Sequence, residues 1–417
     1  MQFPIVDYAN HPAYEKFVGQ TNYDERFINE KVGAVDALIN RFCQIALPVR
    51  EEAEDGLQQI ARELLLIQKH VKAEQISILA EEWLHNCVEW VVKDLSEEFA
   101  RRVFWSDERL GNRLTSESSR QFAEMNERGM YISELPSESY AEIRRYALEY
   151  LPDLREKALA DRFNRSVISV PFNSPLWNAI KRGAVAAGIL DVLSHFKRNN
   201  MSILGTGLEY SCSQQNWYQS LYGDVGLDDS PLQYMHVDET DGYPKSMIYV
   251  TPVDVDNGPT RAIPNSHRWH RSECQIRFHK ALDRIVTDRY VKFAKQAHYR
   301  PLARHSELRR VFMQLPKAFQ GSSHFGDDVL AGTPMAEDLL ACEVPFISSG
   351  NQALVFDGPH LLHRGSLVKE GERLALQVIY RHKNEGRIKA HLSNESFFED
   401  QVKLLKRYGG RIVRRYV

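Results

Sequence analysis

Apolar side chains in the first 118 residues recur at helical spacing. Ile76, Leu79, Ala80, Trp83, Leu84, Cys87 and Val91 make one stripe with acidic residues between. Leu57, Ile60, Ala61, Leu64 and Ile67 make another just before it. Gly56 and the acidic run at 51–55 separate that stripe from what precedes, and no strand-like alternation occurs. The pattern predicts an N-terminal helical region over 1–118, packed on the rest of the chain or used for homo-oligomer contacts. The polar stretch 109–119, with Gly111 and several serines, reads as a linker. Residues 121–129 then predict a short helix, 130–132 a strand and 137–150 a helix opened by Ser137.

From about residue 165 the texture changes. Short β-rich runs at 167–170, 201–204, 247–250, 353–356 and 374–380 are punctuated by Gly, Pro and Asn, which predicts an antiparallel barrel or sandwich. A long insertion at about 271–345 divides these runs. Its first part, 274–297, reads as a helix and its tail, 320–333, is rich in Gly and Ser, the texture of a lid or binding loop. The expectation is an α+β protein with a β-rich domain over 119–395 and a C-terminal tail over 396–417.

Composition narrows the function class. The chain has 417 residues, 43% of them hydrophobic, enough to bury a large core. A formal net charge of -3 gives no global field toward nucleic acid or an anionic membrane. No apolar run approaches a membrane span, and the first residues lack the basic and apolar regions of a signal peptide. Five scattered cysteines without a CxxC favour a reducing cytoplasm.

The candidate chemistry centres on Tyr234-Met235-His236-Val237-Asp238. In a strand, residues two apart share a face, so His236 and Asp238 can offer an imidazole and a carboxylate to one ion. Downstream, a strand and a turn lead to His360-Leu361-Leu362-His363. A second imidazole would complete two histidines and one carboxylate, the facial set that leaves open positions on a non-haem Fe(II). His363 is the better placed ligand and His360 its rival. Ten residues on comes Arg373, whose guanidinium fork suits the distal carboxylate of a 2-oxo diacid. The competing reading of Arg373 is a surface residue paired with Glu370 or Glu372. Tyr234 reads as core, Glu239 as pointing away from the ligands, and His267 and His270 as solvent-facing or supporting groups. His324, in the insertion, carries no assigned role.

These residues resemble the phytanoyl-CoA dioxygenase family of iron and 2-oxoglutarate oxygenases. The likeness runs from HVDET at 236–240, through the strand at 247–250, to Asn257-Gly258-Pro259 and Ile263-Pro264-Asn265-Ser266-His267. Asn265 stands where the family usually has Gly, and Arg364 is an addition after the distal histidine. Upstream, 122–136 is similar to the family's opening helix, glycine and strand, so the likeness spans roughly residues 120–385. The resemblance implies a double-stranded β-helix, a jelly-roll or cupin-like core with buttressing helices. It implies Fe(II) held by His236, Asp238 and His363, with O2 and 2-oxoglutarate as cosubstrates. Arg373 would bind 2-oxoglutarate, with Gln219, Tyr218 and Ser366 as polar contacts. The implied activity is hydroxylation of an unactivated carbon in a small molecule. The alternatives are a non-catalytic metal-binding scaffold and another cupin-type metalloenzyme.

Overall fold

A computed structural model describes residues 1–15, 23–45, 49–72, 76–105, 114–161, 164–213, 222–227, 230–239, 242–291 and 301–383. In chain order the elements begin with three long helices, α1 (Glu25–Gln44), α2 (Arg50–Lys72) and α3 (Ile78–Trp105). There follow α4 (Ser116–Arg128), β1 (Met130–Glu134), α5 (Ser137–Leu148), α6 (Leu151–Ala160), β2 (Arg165–Ser169), α7 (Pro175–Ala186), α8 (Ile189–Lys197) and β3 (Met201–Cys212). Next come β4 (Lys245–Tyr249), β5 (Thr260–Ala262), α9 (Glu273–Val291), α10 (Pro301–Arg304), α11 (Ser306–Phe312) and α12 (Pro334–Cys342). The chain closes its sheets with β6 (Val344–Phe346), β7 (Gln352–Phe356), β8 (His363–Gly365) and β9 (Glu372–His382).

The strands form a six-stranded sheet in the order β1-β7-β4-β9-β3-β2 and a three-stranded sheet in the order β6-β5-β8. Every pairing is antiparallel. Pleating sorts the large sheet into two faces. Leu374, Leu376, Val378 and Tyr380 of β9, with Leu208 and Tyr210 of β3, pack under α4–α8 in one core. Arg373, Gln377 and Ile379 alternate with them and line a cavity on the other face, as do Gly207 and Glu209 of β3. Between the two sheets Met130, Tyr249, Ala262, Phe346, Phe356 and Ala375 form a smaller core.

The helical expectation for the N-terminal region holds for α1–α3; the two predicted stripes lie on the buried faces of α2 and α3, and α2 runs unbroken through the acidic run and Gly56 that were expected to interrupt it. That core is completed from far along the chain. Phe278 and Leu282 of α9, Phe312 of α11 and Phe319 join Trp83, Leu84 and Phe99 in one cluster. The helical layer is therefore built from two distant segments. In the expected linker, Ser116 already opens α4, capped by Thr115 Oγ1 on Ser118 N at 3.1 Å. The tail from residue 384 lies outside the described residues.

Candidate metal centre

The segment around His236, expected to be a strand, is not a regular one. Residues 231–234 form a turn in which Tyr234 takes φ +59°, the left-handed region that L side chains with bulky groups avoid. His236 then makes one isolated antiparallel bridge to His363. Each of these two residues donates its backbone N–H to the other's carbonyl at 3.0 Å. Asp238 N donates to Gly358 O at 2.9 Å and Val237 N to Ser323 O at 3.0 Å. Four backbone bonds thus fix the segment without a ladder. Val237 points into an apolar cluster with Met235 and Leu362, leaving His236 and Asp238 together on the cavity side.

His236, Asp238 and His363 are all buried, and their candidate ligand atoms lie within 4.8 Å of one another. Each Nε2 is 3.7 Å from Asp238 Oδ1. His236 Nδ1 lies 2.7 Å from the Tyr234 carbonyl, and His363 Nδ1 lies 2.9 Å from the Leu361 carbonyl. A carbonyl only accepts, so each Nδ1 carries the proton and each Nε2 presents its lone pair to the shared point. Burial and the neighbouring His363 push the His236 imidazolium down to about 3, against the pull of Asp238. Burial also lowers His363. Both rings are neutral near pH 7, as ligands must be. Burial alone would raise the Asp238 carboxyl, but Lys245 and the two rings hold it well below its usual range.

Lys245 Nζ sits 2.6 Å from Asp238 Oδ1, and Asp238 Oδ2 is buried with no hydrogen-bond partner. An orphaned carboxylate oxygen beside two aimed imidazoles is a donor set that fits a divalent cation. Gly358 is what admits that oxygen. A Cβ at residue 358 would lie 1.9 Å from Asp238 Oδ2.

The structure separates the two candidate distal histidines. His360 Nδ1 pairs with Asp357 Oδ2 at 2.8 Å, while Lys197 Nζ holds Asp357 Oδ1 at 2.7 Å. His360 thus serves a buried ion-pair network, and His363 meets His236 and Asp238.

Arg373 is 6% exposed and lines the cavity, so the surface reading fails. Glu372 points away, to Arg155 and Tyr210. The partner of Arg373 is Glu209, with Nη2 to Oε1 at 2.6 Å, and Nη1 donates to the Gly258 carbonyl. Gly258 has φ +81°, and a Cβ there would strike Val368. Ser366 lines the cavity and accepts from Arg261 Nε at 2.9 Å. Gln219 and Tyr218 lie outside the described residues.

Several neighbours carry no local motif. Glu239, expected to turn away, lines the cavity, and burial raises its carboxyl. His324 lies flat on His236, with ring centroids 4.7 Å apart and planes 8° apart, and Ser323 Oγ meets its Nδ1 at 3.0 Å. Arg364 clamps both oxygens of Glu343 at 2.6 and 2.8 Å, tying β8 to the end of α12. Asn265 has φ +69°, so the family's Gly position is a left-handed one that Asn tolerates. His267 meets the Asn126 carbonyl at 3.1 Å and supports the end of α4. The signal for Lys245, Glu209 and Arg165 lay in strand register, which a single sequence does not print.

Comparison with known proteins adds a family. The model described as Phytanoyl-CoA dioxygenase (PhyH) matches residues 204–307, about a quarter of the chain. That segment contains His236, Asp238 and the Asn257-Gly258 turn. No curated protein matches the sequence significantly. Solved structures similar in part include EctD from S. alaskensis in its apoform, at 15% identity and TM-score 0.36, over 65% of this chain and 80% of that one. AviO1 from Streptomyces viridochromogenes Tue57 aligns at 12% identity and TM-score 0.34, over 65% and 97%. The non-heme alpha ketoglutarate dependent epimerase SnoN from nogalamycin biosynthesis aligns at 11% identity and TM-score 0.34, over 64% and 81%. The family match covers the segment that holds His236 and Asp238, two of the three residues that cluster in the cavity.

Proposed function

We propose that the protein hydroxylates an unactivated carbon of a small molecule, with Fe(II) held by His236, Asp238 and His363. The observation that carries this reading is the convergence of two proton-fixed imidazoles on a buried carboxylate with one unpartnered oxygen. We take the two antiparallel sheets as a double-stranded β-helix, with 119–395 as the oxygenase domain and 1–118 as a helical region before it.

When bound, iron and 2-oxoglutarate supply the oxidation: one oxygen atom of O2 goes to succinate as CO2 leaves, and the other goes to the substrate. The chain's own residues prepare the site for this. Tyr234 and Leu361 carbonyls hold the tautomers that keep both Nε2 atoms available. Lys245 keeps Asp238 ionised and oriented. Arg373 receives the distal carboxylate of 2-oxoglutarate, with Ser366 nearby. Val167, Leu204, Met247, Phe356 and Ile379 give a cavity of about 540 Å³ an apolar wall on which a hydrocarbon part of the substrate can pack. His324 and Tyr234 close it beside the ligands.

No helix among the described residues is long and apolar enough to cross a membrane, and all five cysteines are free. We infer a cytoplasmic enzyme. A screen of candidate metabolites for succinate release, run with iron, 2-oxoglutarate and O2, tests the activity. Substrate-stimulated succinate that disappears in His236→Ala supports it. Equal succinate from wild type and His236→Ala refutes it.

A further inference from the structure

The place assigned to the far end of 2-oxoglutarate already holds a carboxylate belonging to the protein. Arg165, Ser211 and Arg373 stand in one row across the adjacent strands β2, β3 and β9. Glu209 is two residues from Ser211 on the same face of β3, in diagonal reach of both arginines. Its Oε1 takes Arg373 Nη2 at 2.6 Å and its Oε2 takes Arg165 Nη2 at 2.7 Å. Ser211 Oγ adds a bond to Oε1 at 3.3 Å. Burial pushes the Glu209 carboxyl up, but the two guanidinium ions outweigh it and leave the group at about 2, ionised at any working pH.

The Arg373 guanidinium is only half used on the edge that matters. A carboxylate binds a guanidinium side-on through Nε and Nη2 together. Glu209 takes Nη2, whereas Nε is buried with no partner. Nη2 carries two N–H donors and already meets Glu209 Oε1 at 2.6 Å and Ser211 Oγ at 3.4 Å, so a carboxylate seated on the full fork competes with Glu209 for it. Glu209 is free to yield it, because Arg165 still holds its other oxygen. Two guanidinium charges and one carboxylate leave a net single positive charge, which a second carboxylate neutralises.

We propose, on the oxygenase reading above, that Glu209 is a built-in competitor for the distal carboxylate of the cosubstrate, sets its affinity, and moves onto Arg165 when a 2-oxo diacid binds. Glu209 is a positioning residue here, acting through Arg373. The seat then selects a diacid over a simple 2-oxo acid, because only the diacid offers a charge to exchange for Glu209.

Anaerobic calorimetry on the metal-loaded full chain tests this, with 2-oxoglutarate as one ligand and oxalate as the other. Oxalate offers the chelating oxygens without a distal carboxylate. Glu209→Gln removes the competing charge but keeps the side-chain shape. It should tighten 2-oxoglutarate binding by about tenfold, roughly 1.4 kcal/mol, and leave oxalate binding unchanged. Arg165→Gln leaves Arg373 as the one guanidinium on Glu209, and should weaken 2-oxoglutarate by a similar factor without affecting oxalate. This second variant decides the matter if Glu209→Gln does not fold. Binding of 2-oxoglutarate that is unchanged or weaker in a folded Glu209→Gln overturns the competitor role while sparing the oxygenase reading, as does unchanged binding in Arg165→Gln. Failure of the metal-loaded wild type to bind 2-oxoglutarate at all overturns both.

Discussion

Gly358→Ala gives a sharp test of the metal site, because its effect can be worked from one distance. The backbone at 358 is not in the left-handed region, so alanine brings no conformational penalty of its own. The added Cβ would lie 1.9 Å from Asp238 Oδ2, about 1.5 Å short of the 3.4 Å at which ordinary contact begins. Asp238 Cγ would lie at 3.0 Å, whereas the Lys245 side chain, at 3.6 Å, would be in ordinary contact with the new carbon. The Asp238 carboxylate must therefore retreat, since the Gly358 backbone is itself tied to Asp238 N. Metal sites tolerate about 0.2 Å of ligand displacement, and disturbing a ligand's support typically costs ~10–100-fold in affinity. Fe(II) binding should weaken by at least that factor, roughly 1.4–2.8 kcal/mol. The assay is an anaerobic Fe(II) titration alongside thermal unfolding. The control is Gly365→Ala, two residues past His363, where a Cβ meets nothing within 4 Å. That control should bind iron as the wild type does. A folded Gly358→Ala with unchanged iron affinity would refute the placement of Asp238 in the metal site.

Three further outcomes are expected. His363→Ala should lose Fe(II) binding, whereas His360→Ala should keep it and lose about 1–3 kcal/mol of stability as Asp357 is left with Lys197 alone; the reverse pattern in a metal titration reassigns the ligand. Arg373→Ala should weaken 2-oxoglutarate by roughly thirtyfold or more, since removing one member of a buried charge pair costs about 2–5 kcal/mol, and should leave iron binding intact; Arg373→Lys should recover part of the loss. Burial pushes His279 and His382 down from 6.5 to about 4 and about 3, so the unfolded chain takes up protons that the folded one refuses. Their contribution to stability is complete above about pH 6.5 and is lost as pH falls toward those values, by up to about 1.4 kcal/mol per unit for each ring. Urea midpoints that stay flat between pH 7.5 and 5 would contradict this.

Much of the site was legible because its residues sit in short local patterns. The HxD spacing, the distal histidine and the arginine ten residues later can be read from neighbours in sequence. The structure changes how the pattern works. His236 and Asp238 share a side through backbone bonds to His363 and Gly358, not through a strand's pleat. What could not be read was whatever depends on register between distant strands. Glu209 and Arg165 become neighbours of Arg373 only once β2, β3 and β9 align. Lys245 reaches Asp238 only from the start of β4, and His324 reaches His236 only by the path of the insertion. For the fold, the apolar stripes announced α2 and α3 but not their partner, because a stripe records that a face is buried and not against what.

That partner has a consequence for biosynthesis. The apolar face shared by α1–α3 is covered in part by α9 and α11, and α9 begins about 170 residues after α3 ends. At ribosomal rates of about 5–20 residues per second, those helices emerge roughly ten to thirty seconds before their cover exists. During that interval the nascent chain presents Trp83, Leu84 and Phe99 to the surrounding solution, a surface suited to a chaperone that holds hydrophobic segments. Maturation of the chain is then gated by translation through the insertion: ribosome-bound chains stalled before residue 273 should be protease-sensitive in their first hundred residues, and chains extended past residue 319 should be protected.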